Sequence, residues 1–224
     1  MKNEVKCQVI ENIKREKLIA IVRGVSSDDL IPLAEALYRG GIRLLEVTYA
    51  ADGRVSDEEI SESIGVLARH FEGRMDIGAG TVLTEAQVEL TASVGGKFII
   101  SPDTNGAVIG KTVECGLVSI PGALTPTEIQ RAHLFGADFV KLFPVTSLGA
   151  DYVRAVRAPL SHIELLAVGG VDTENMGEYL SAGVSGFGLG SNIVNKKMLA
   201  ARDYDGIAAL AAKYKEVVEK WQSI

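Results

Sequence analysis

The feature that most constrains the fold of this chain is an alternation repeated eight times along it. Short apolar, β-rich runs begin near Leu18 (LIAIVRG), Leu44 (LLEVTY), Asp76 (DIGAGTV), Lys97 (KFIISP), Leu117 (LVSIPG), Asp138 (DFVKLFP), Ile163 (IELLAVGG) and Gly186 (GFGLGS). Their starts lie 20 residues apart at the closest (97 to 117) and 32 at the widest (44 to 76), which is room for one strand and one helix. The stretches between them carry helical spacing. Leu30, Leu33, Ala34 and Leu37 fall on one face before Gly40-Gly41 ends the pattern, and Thr125-Pro126-Thr127-Glu128 opens another helix that runs to Gly136. The strand runs are continuously apolar instead of alternating, as expected of parallel strands covered on both faces. Eight such βα units predict a single closed (β/α)8 TIM barrel over residues 1–224. An open doubly wound sheet is the alternative. Against it, no GxGxxG with a downstream acidic residue follows the first strand.

Two segments flank the repeats. Residues 2–15, with Val5, Val9, Ile10 and Ile13 at helical spacing, predict an N-terminal capping helix that plugs the barrel floor. Tyr204–Gln222 predicts a C-terminal helix with Ile207, Leu210, Ala211, Tyr214, Val218 and Trp221 on one stripe. The formal net charge is −6, with no Lys/Arg cluster suited to nucleic acid or an anionic membrane surface. No apolar run reaches the ~18–20 residues that span a bilayer, and Met1-Lys2-Asn3-Glu4 leads into a polar segment without a signal-peptide core. A cytoplasmic location is the expectation. Cys7 and Cys115 have no metal-ligand spacing and are expected to be buried small hydrophobes. His70, His133 and His162 lie far apart, each where a helix or its end is expected, and are read as surface residues with no metal.

In a barrel of this kind the chemistry sits at the C-terminal ends of the strands. The sixth run places Lys141 inside Asp138-Phe139-Val140-Lys141-Leu142-Phe143-Pro144, an otherwise apolar strand. Burial disfavours the ammonium and lowers a lysine pKa from ~10.4, leaving a nucleophilic amine of the kind Schiff-base chemistry requires. A lysine that snorkels from the strand end or pairs with a carboxylate is the structural alternative. Glu46 sits in the second strand much as Lys141 does in the sixth, and the two-residue period puts Glu46 and Thr48 on one face. A buried Glu–Lys pair is weak evidence for stability, so a catalytic reading of the two is preferred. Gly169 and Gly170 after the seventh strand, and Gly190 and Ser191 before the helix-like Asn192-Ile193-Val194, match the position where such barrels bind phosphate through backbone N–H groups. Arg23, at the end of the first strand, is a candidate carboxylate clamp.

Taken together, IAIVRG, GGIRLLEVTY, IGAGTVL, FIISPDTN, IPGALTPTEI, VKLFP, AVGGV and GLGSNIV resemble, in order and spacing, the 2-keto-3-deoxy-6-phosphogluconate / 4-hydroxy-2-oxoglutarate aldolase family of class I aldolases. The resemblance covers nearly the whole chain. It implies Lys141 as the Schiff-base lysine and Glu46 as the general acid/base, with Thr48, Thr81, Pro102 and Phe143 around a pyruvate pocket and Gly169, Gly170, Gly190 and Ser191 on a phosphate. It also implies a small keto-acid substrate, no cofactor or metal, and a homotrimer.

Two positions depart from the family's commoner pattern. Where many members carry an arginine shortly after the glutamate, this chain has Ala50-Ala51, so Arg23 is expected to take the substrate carboxylate. Where members acting on the gluconate-derived substrate have threonine before Gly-Gly, this chain has Val168, which cannot donate a hydrogen bond to a substrate hydroxyl. The first expectation is cleavage of the gluconate-derived keto acid or of 4-hydroxy-2-oxoglutarate. The alternative within the class is the galactonate-derived epimer, and the alternative outside it is a phosphosugar isomerase or epimerase using Glu46 as base.

Overall fold

The computed structural model describes residues 2–223. Among these, nine strands form one parallel sheet: β1 (Leu18–Val22), β2 (Leu44–Thr48), β3 (Asp76–Gly80), β4 (Phe98–Ile100), β5 (Val118–Ile120), β6 (Gly122–Ala123), β7 (Val140–Leu142), β8 (Leu165–Val168) and β9 (Gly186–Leu189). Helices α2 (Ser27–Arg39), α3 (Asp57–His70), α4 (Glu85–Ser93), α5 (Gly106–Cys115), α6 (Pro126–Leu134), α7 (Gly149–Arg157) and α8 (Met176–Ser181) stand between successive barrel strands. α1 (Lys2–Glu16) precedes the barrel, and α9 (Lys196–Ala200) and α10 (Tyr204–Gln222) follow it.

The ninth strand arises because Pro121 divides the predicted fifth strand. Proline has no N–H to give to a ladder. The first half, β5, pairs with β4 and the second half, β6, pairs with β7. The seam is bridged by the Lys141 N–H to the Pro121 carbonyl at 2.9 Å and by the Phe139 N–H to Ser119 at 3.2 Å. With β1 pairing both β2 and β9, the strands close as the βα alternation predicts.

Alternation along each strand divides the core in two. Ile19, Leu44, Phe98, Ile100, Val118, Ile120, Phe139 and Leu166 fill the barrel interior. Leu18, Ala20, Val22, Leu45, Val47, Ile77 and Ala79 face the surrounding helices. Val9 and Ile13 of α1 join the interior group, so this helix plugs the floor as expected. Val5, one turn earlier, is 52% exposed and is not part of the stripe. A helix of 15 residues is longer than the floor it covers. Cys7 lies nearly opposite Val9 on α1 and is exposed, and Cys115 is half-buried, which corrects the expectation that both are core residues. α10 buries Ile207, Ala211, Tyr214 and Val218, with Leu210 and Trp221 packed at the margin.

Local signals in the sequence set the helix starts. Thr125 accepts the Glu128 N–H while Glu128 receives the Thr125 N–H, and Ser56 with Glu59 and Thr84 with Gln87 form the same reciprocal cap. The histidines are on the surface. His133 and His162, distant in sequence, meet edge to face with centroids 5.1 Å apart, and His162 lies in the turn before β8 instead of at a helix end. The predicted helix after Ser191 is a single turn, closed by the Ile193 and Val194 N–H groups on the Gly190 carbonyl. Among the described residues no helix is long and apolar enough to cross a membrane.

Candidate active site

The C-terminal ends of the strands surround a cavity of about 380 Å³. Lys141 of β7 and Glu46 of β2 both line it, as do Arg23, Thr81, Pro102, Phe143, Val168, Gly169, Gly170, Gly190 and Ser191. Inward positions of parallel strands converge on the axis, which brings residues 95 positions apart (46 to 141) into one chamber. Beneath it the barrel is filled, with a void of only about 10 Å³ among Ile19, Ile100, Ile120 and Leu166.

Thr48 is the predicted site residue that does not line this chamber. It is 3% exposed, its Oγ1 has no hydrogen-bond partner, and it borders a separate cavity of about 730 Å³ beneath the starts of α2 and α3. Thr48 shares the inward parity of Glu46 and ends β2, but borders the neighbouring cavity. Ile21, Val171, Gly188, Leu189 and Asn192 line the chamber and were not singled out from the sequence. Ile21 had a signal, two residues beyond the inward Ile19. Asn192 had only its polarity next to Gly190-Ser191.

Lys141 is 8% exposed and Glu46 1%. Burial is the largest influence on each. It holds the lysine pKa below its ordinary value, with Glu46 opposing the shift and the positive charge of Arg23 adding to it. It holds the Glu46 carboxyl above the ordinary carboxylate range, with Lys141 and Arg23 both opposing. Both groups are thus biased toward their neutral forms, a free amine and a carboxylic acid. The Lys141 Nζ lies 4.7 Å from the centroid of the Phe143 ring, which offers its π-face to whatever positive charge the nitrogen carries. Phe143 is 38% exposed and forms part of the rim.

Arg23 projects from the end of β1 into the mouth and donates from Nη2 to Thr81 Oγ1 at 3.2 Å. Thr81 has φ of 55°, a left-handed conformation costly for a β-branched residue. Across the mouth, Gly169 and Gly170 take φ of 97° and 71°. Their carbonyls are held from outside the chamber, that of Gly169 by Thr146 Oγ1 at 2.6 Å and that of Gly170 by Asn175 Nδ2 at 3.0 Å. Asn192 Nδ2 likewise holds the Val171 carbonyl at 2.8 Å. The loop after β8 is therefore tied to its neighbours by named side chains.

A second groove, about 470 Å³, lies at the N-terminal end beside Arg15, Arg43, Asp76 and Lys97. Asp76 accepts there from Asn12 at 2.7 Å and Lys97 at 2.8 Å, Arg15 pairs with Glu16 at 2.8 Å, and Arg43 donates to the Tyr38 and Ile42 carbonyls at 2.9 and 2.8 Å.

A (β/α)8 barrel with a buried amine, a buried carboxyl and a glycine-lined rim at its C-terminal mouth belongs to the barrel enzymes. Comparison with known proteins gives the family: the chain belongs to the KDPG and KHG aldolase family, whose sequence pattern matches residues 9–210, and it is a lyase. A protein of Rhizobium meliloti named as a probable 2-dehydro-3-deoxy-6-phosphogalactonate aldolase is 36% identical over 201 residues, 89% of this chain and 92% of the relative. The 2-dehydro-3-deoxy-6-phosphogalactonate aldolase of Escherichia coli is 33% identical, over 90% of this chain and 96% of its own. A solved structure titled "Native KDPGal structure" superposes with a TM-score of 0.83 at 32% identity, covering 92% of this chain and 96% of that one.

Proposed function

We propose that this chain is a class I aldolase that cleaves 2-keto-3-deoxy-6-phosphogalactonate to pyruvate and glyceraldehyde 3-phosphate through a Schiff base on Lys141. The observation that carries the reading is the enclosure of Lys141 and Glu46 in one chamber at the strand ends, both biased toward neutrality. The sequence alone put the gluconate-derived epimer first. The two relatives described above carry galactonate names, and Val168 faces the chamber without a hydroxyl, so preference moves to the galactonate-derived epimer.

In this reading the neutral Lys141 amine attacks the C2 ketone, and the resulting carbinolamine loses water to give a cationic imine. The C3–C4 bonding electrons flow toward the iminium nitrogen. Glu46, which starts as the carboxylic acid and becomes a carboxylate by giving its proton to the departing carbinolamine hydroxyl, then takes the proton of the C4 hydroxyl, so that C4 leaves as the aldehyde and C3 remains in an enamine. Protonation at C3 and hydrolysis then release pyruvate and restore the amine. Thr81, Pro102 and Phe143 border the pyruvate end, and Gly169, Gly170, Gly190 and Ser191 offer backbone N–H groups to the phosphate. Thr48, outside the chamber, has no substrate role in this scheme. A homotrimeric assembly is part of the same proposal, and native mass spectrometry reads it directly.

The test is a borohydride trap with pyruvate followed by peptide mapping, and then turnover of both C4 epimers. A pyruvate adduct on Lys141 with faster cleavage of the galactonate-derived epimer is the expected result. Faster cleavage of the gluconate-derived epimer would reverse the substrate assignment. A folded protein that forms no adduct would sink the aldol mechanism in favour of an isomerase, which forms no reducible imine.

Arg23 is assigned the substrate carboxylate, since the arginine carried elsewhere in the family is absent at Ala50-Ala51. Losing a charge-assisted hydrogen bond costs about 1.5–3 kcal/mol, so Arg23→Ala should raise KM for the keto acid roughly 10- to 100-fold while kcat changes less. An unchanged KM would remove Arg23 from the clamp.

A further inference from the structure

β3 presents no side chain to the barrel interior at two consecutive inward positions, Gly78 and Gly80, and each bare position is filled by a neighbour. In strand register Glu46 stands opposite Gly78. That space is taken. A Cβ on Gly78 would lie 2.4 Å from Cδ2 and 2.5 Å from Cε2 of Phe98, whose ring covers it from β4. The Glu46 carboxyl lies one inward position nearer the mouth, against Gly80, where a Cβ would fall 1.4 Å from Oε1 and 2.1 Å from Cδ. No hydrogen bond accounts for that placement: Glu46 Oε2 is buried without a partner.

From this packing we infer that Gly80, with Phe98 behind it, is the positioning residue for Glu46. The bare backbone of Gly80 seats the carboxyl at the mouth, and the Phe98 ring keeps it from dropping to its in-register place over Gly78. The inference rests on the proposed role of Glu46 as acid/base. Its chemical consequence is that packing, and no hydrogen bond, seats the carboxyl between the charges of Lys141 and Arg23, leaving Oε2 without a protein donor to compete with a substrate hydroxyl for it. A methyl group at position 80 would occupy the place of Oε1 and force the carboxyl away, and a displacement of about 1 Å in a reacting group can cost about 10²-fold in rate.

The experiment compares Gly80→Ala, Glu46→Ala and the double variant by kcat for cleavage of the keto acid, borohydride trapping of pyruvate, and thermal melting. Gly80→Ala alone should lower kcat about 10²-fold with trapping retained. Added to Glu46→Ala, which removes the group the methyl collides with, it should cause no further loss of kcat, and it should lower the melting temperature less than it does alone. Pairing Gly80→Ala with the shorter Glu46→Asp should recover part of the rate lost by Gly80→Ala.

An unchanged kcat in Gly80→Ala, or losses that multiply in the double variant, would overturn the inference. Should Gly80→Ala fail to fold, the double variant with Glu46→Ala is expected to fold, and its failure too would show that Gly80 is needed for another reason. A near wild-type rate for Glu46→Ala would sink the catalytic role of Glu46 instead. The seat itself would still be tested by the melting temperatures.

Discussion

Lys141→Met is expected to leave no measurable aldol cleavage and no borohydride-trapped pyruvate, in a protein that folds at least as well as the native chain. Methionine matches the reach of the lysine stem but brings no nitrogen, so the imine cannot form and no other group on this chamber's wall replaces it. The stability side follows from burial, which holds the Lys141 pKa below its ordinary value. Between that lowered pKa and the ordinary ~10.4 the unfolded chain binds more protons than the folded one, so stability rises with pH across that interval. Replacing the lysine removes this slope. Lys141→Met should therefore gain most over the native protein below the lowered pKa and match it above the ordinary one. Denaturant melts at several pH values measure the difference. Residual turnover with Lys141→Met, in protein purified free of native enzyme, would exclude the lysine as the nucleophile.

Glu46→Gln is expected to retain imine formation with pyruvate while lowering kcat for cleavage by roughly 10²–10⁴-fold, the usual contribution of a positioned general acid/base. The amide keeps the shape that Gly80 accommodates and loses only the ability to take and return a proton. Single-turnover trapping separates the two effects, because the attack on pyruvate and the cleavage of C3–C4 are read in different assays. Burial raises the Glu46 pKa, so the folded chain binds the proton more tightly than the unfolded one. Stability is then lost as pH rises from ~4.3 through the raised value, and Glu46→Gln should be spared that loss. A Glu46→Gln protein with near wild-type kcat would take the carboxylate out of the mechanism.

Much of this was legible in the sequence because the fold is built from local units. Each βα unit carries its own apolar strand, its own cap and its own stop, as in Thr125 and Glu128 at the start of α6. The topology of the barrel needs no more than the order of the strands. Lys141 and Glu46 stood out because a charged residue in a continuous apolar strand is a local anomaly. Thr48 borders a cavity beside the one that holds Lys141 and Glu46. Parity along a strand says which face a residue points to, not which of two neighbouring cavities it borders. Val5 shows the same limit, since helical spacing gives a stripe but not the extent of the surface that covers it.

The sequence by itself determined the eightfold alternation, the plug and closing helices, and the candidate amine, carboxyl and glycine-rich rim. Hydrophobic period, caps and turn residues act over a few positions, and a single chain displays them all. Tertiary structure decided the rest: that Pro121 splits the fifth strand, that Arg23 reaches Thr81, that Thr48 falls in a different cavity, and that Glu46 leaves its in-register place over Gly78 for Gly80 because Phe98 is already there. Each of these depends on contacts between strands far apart in the chain, and those contacts form only once the barrel has closed.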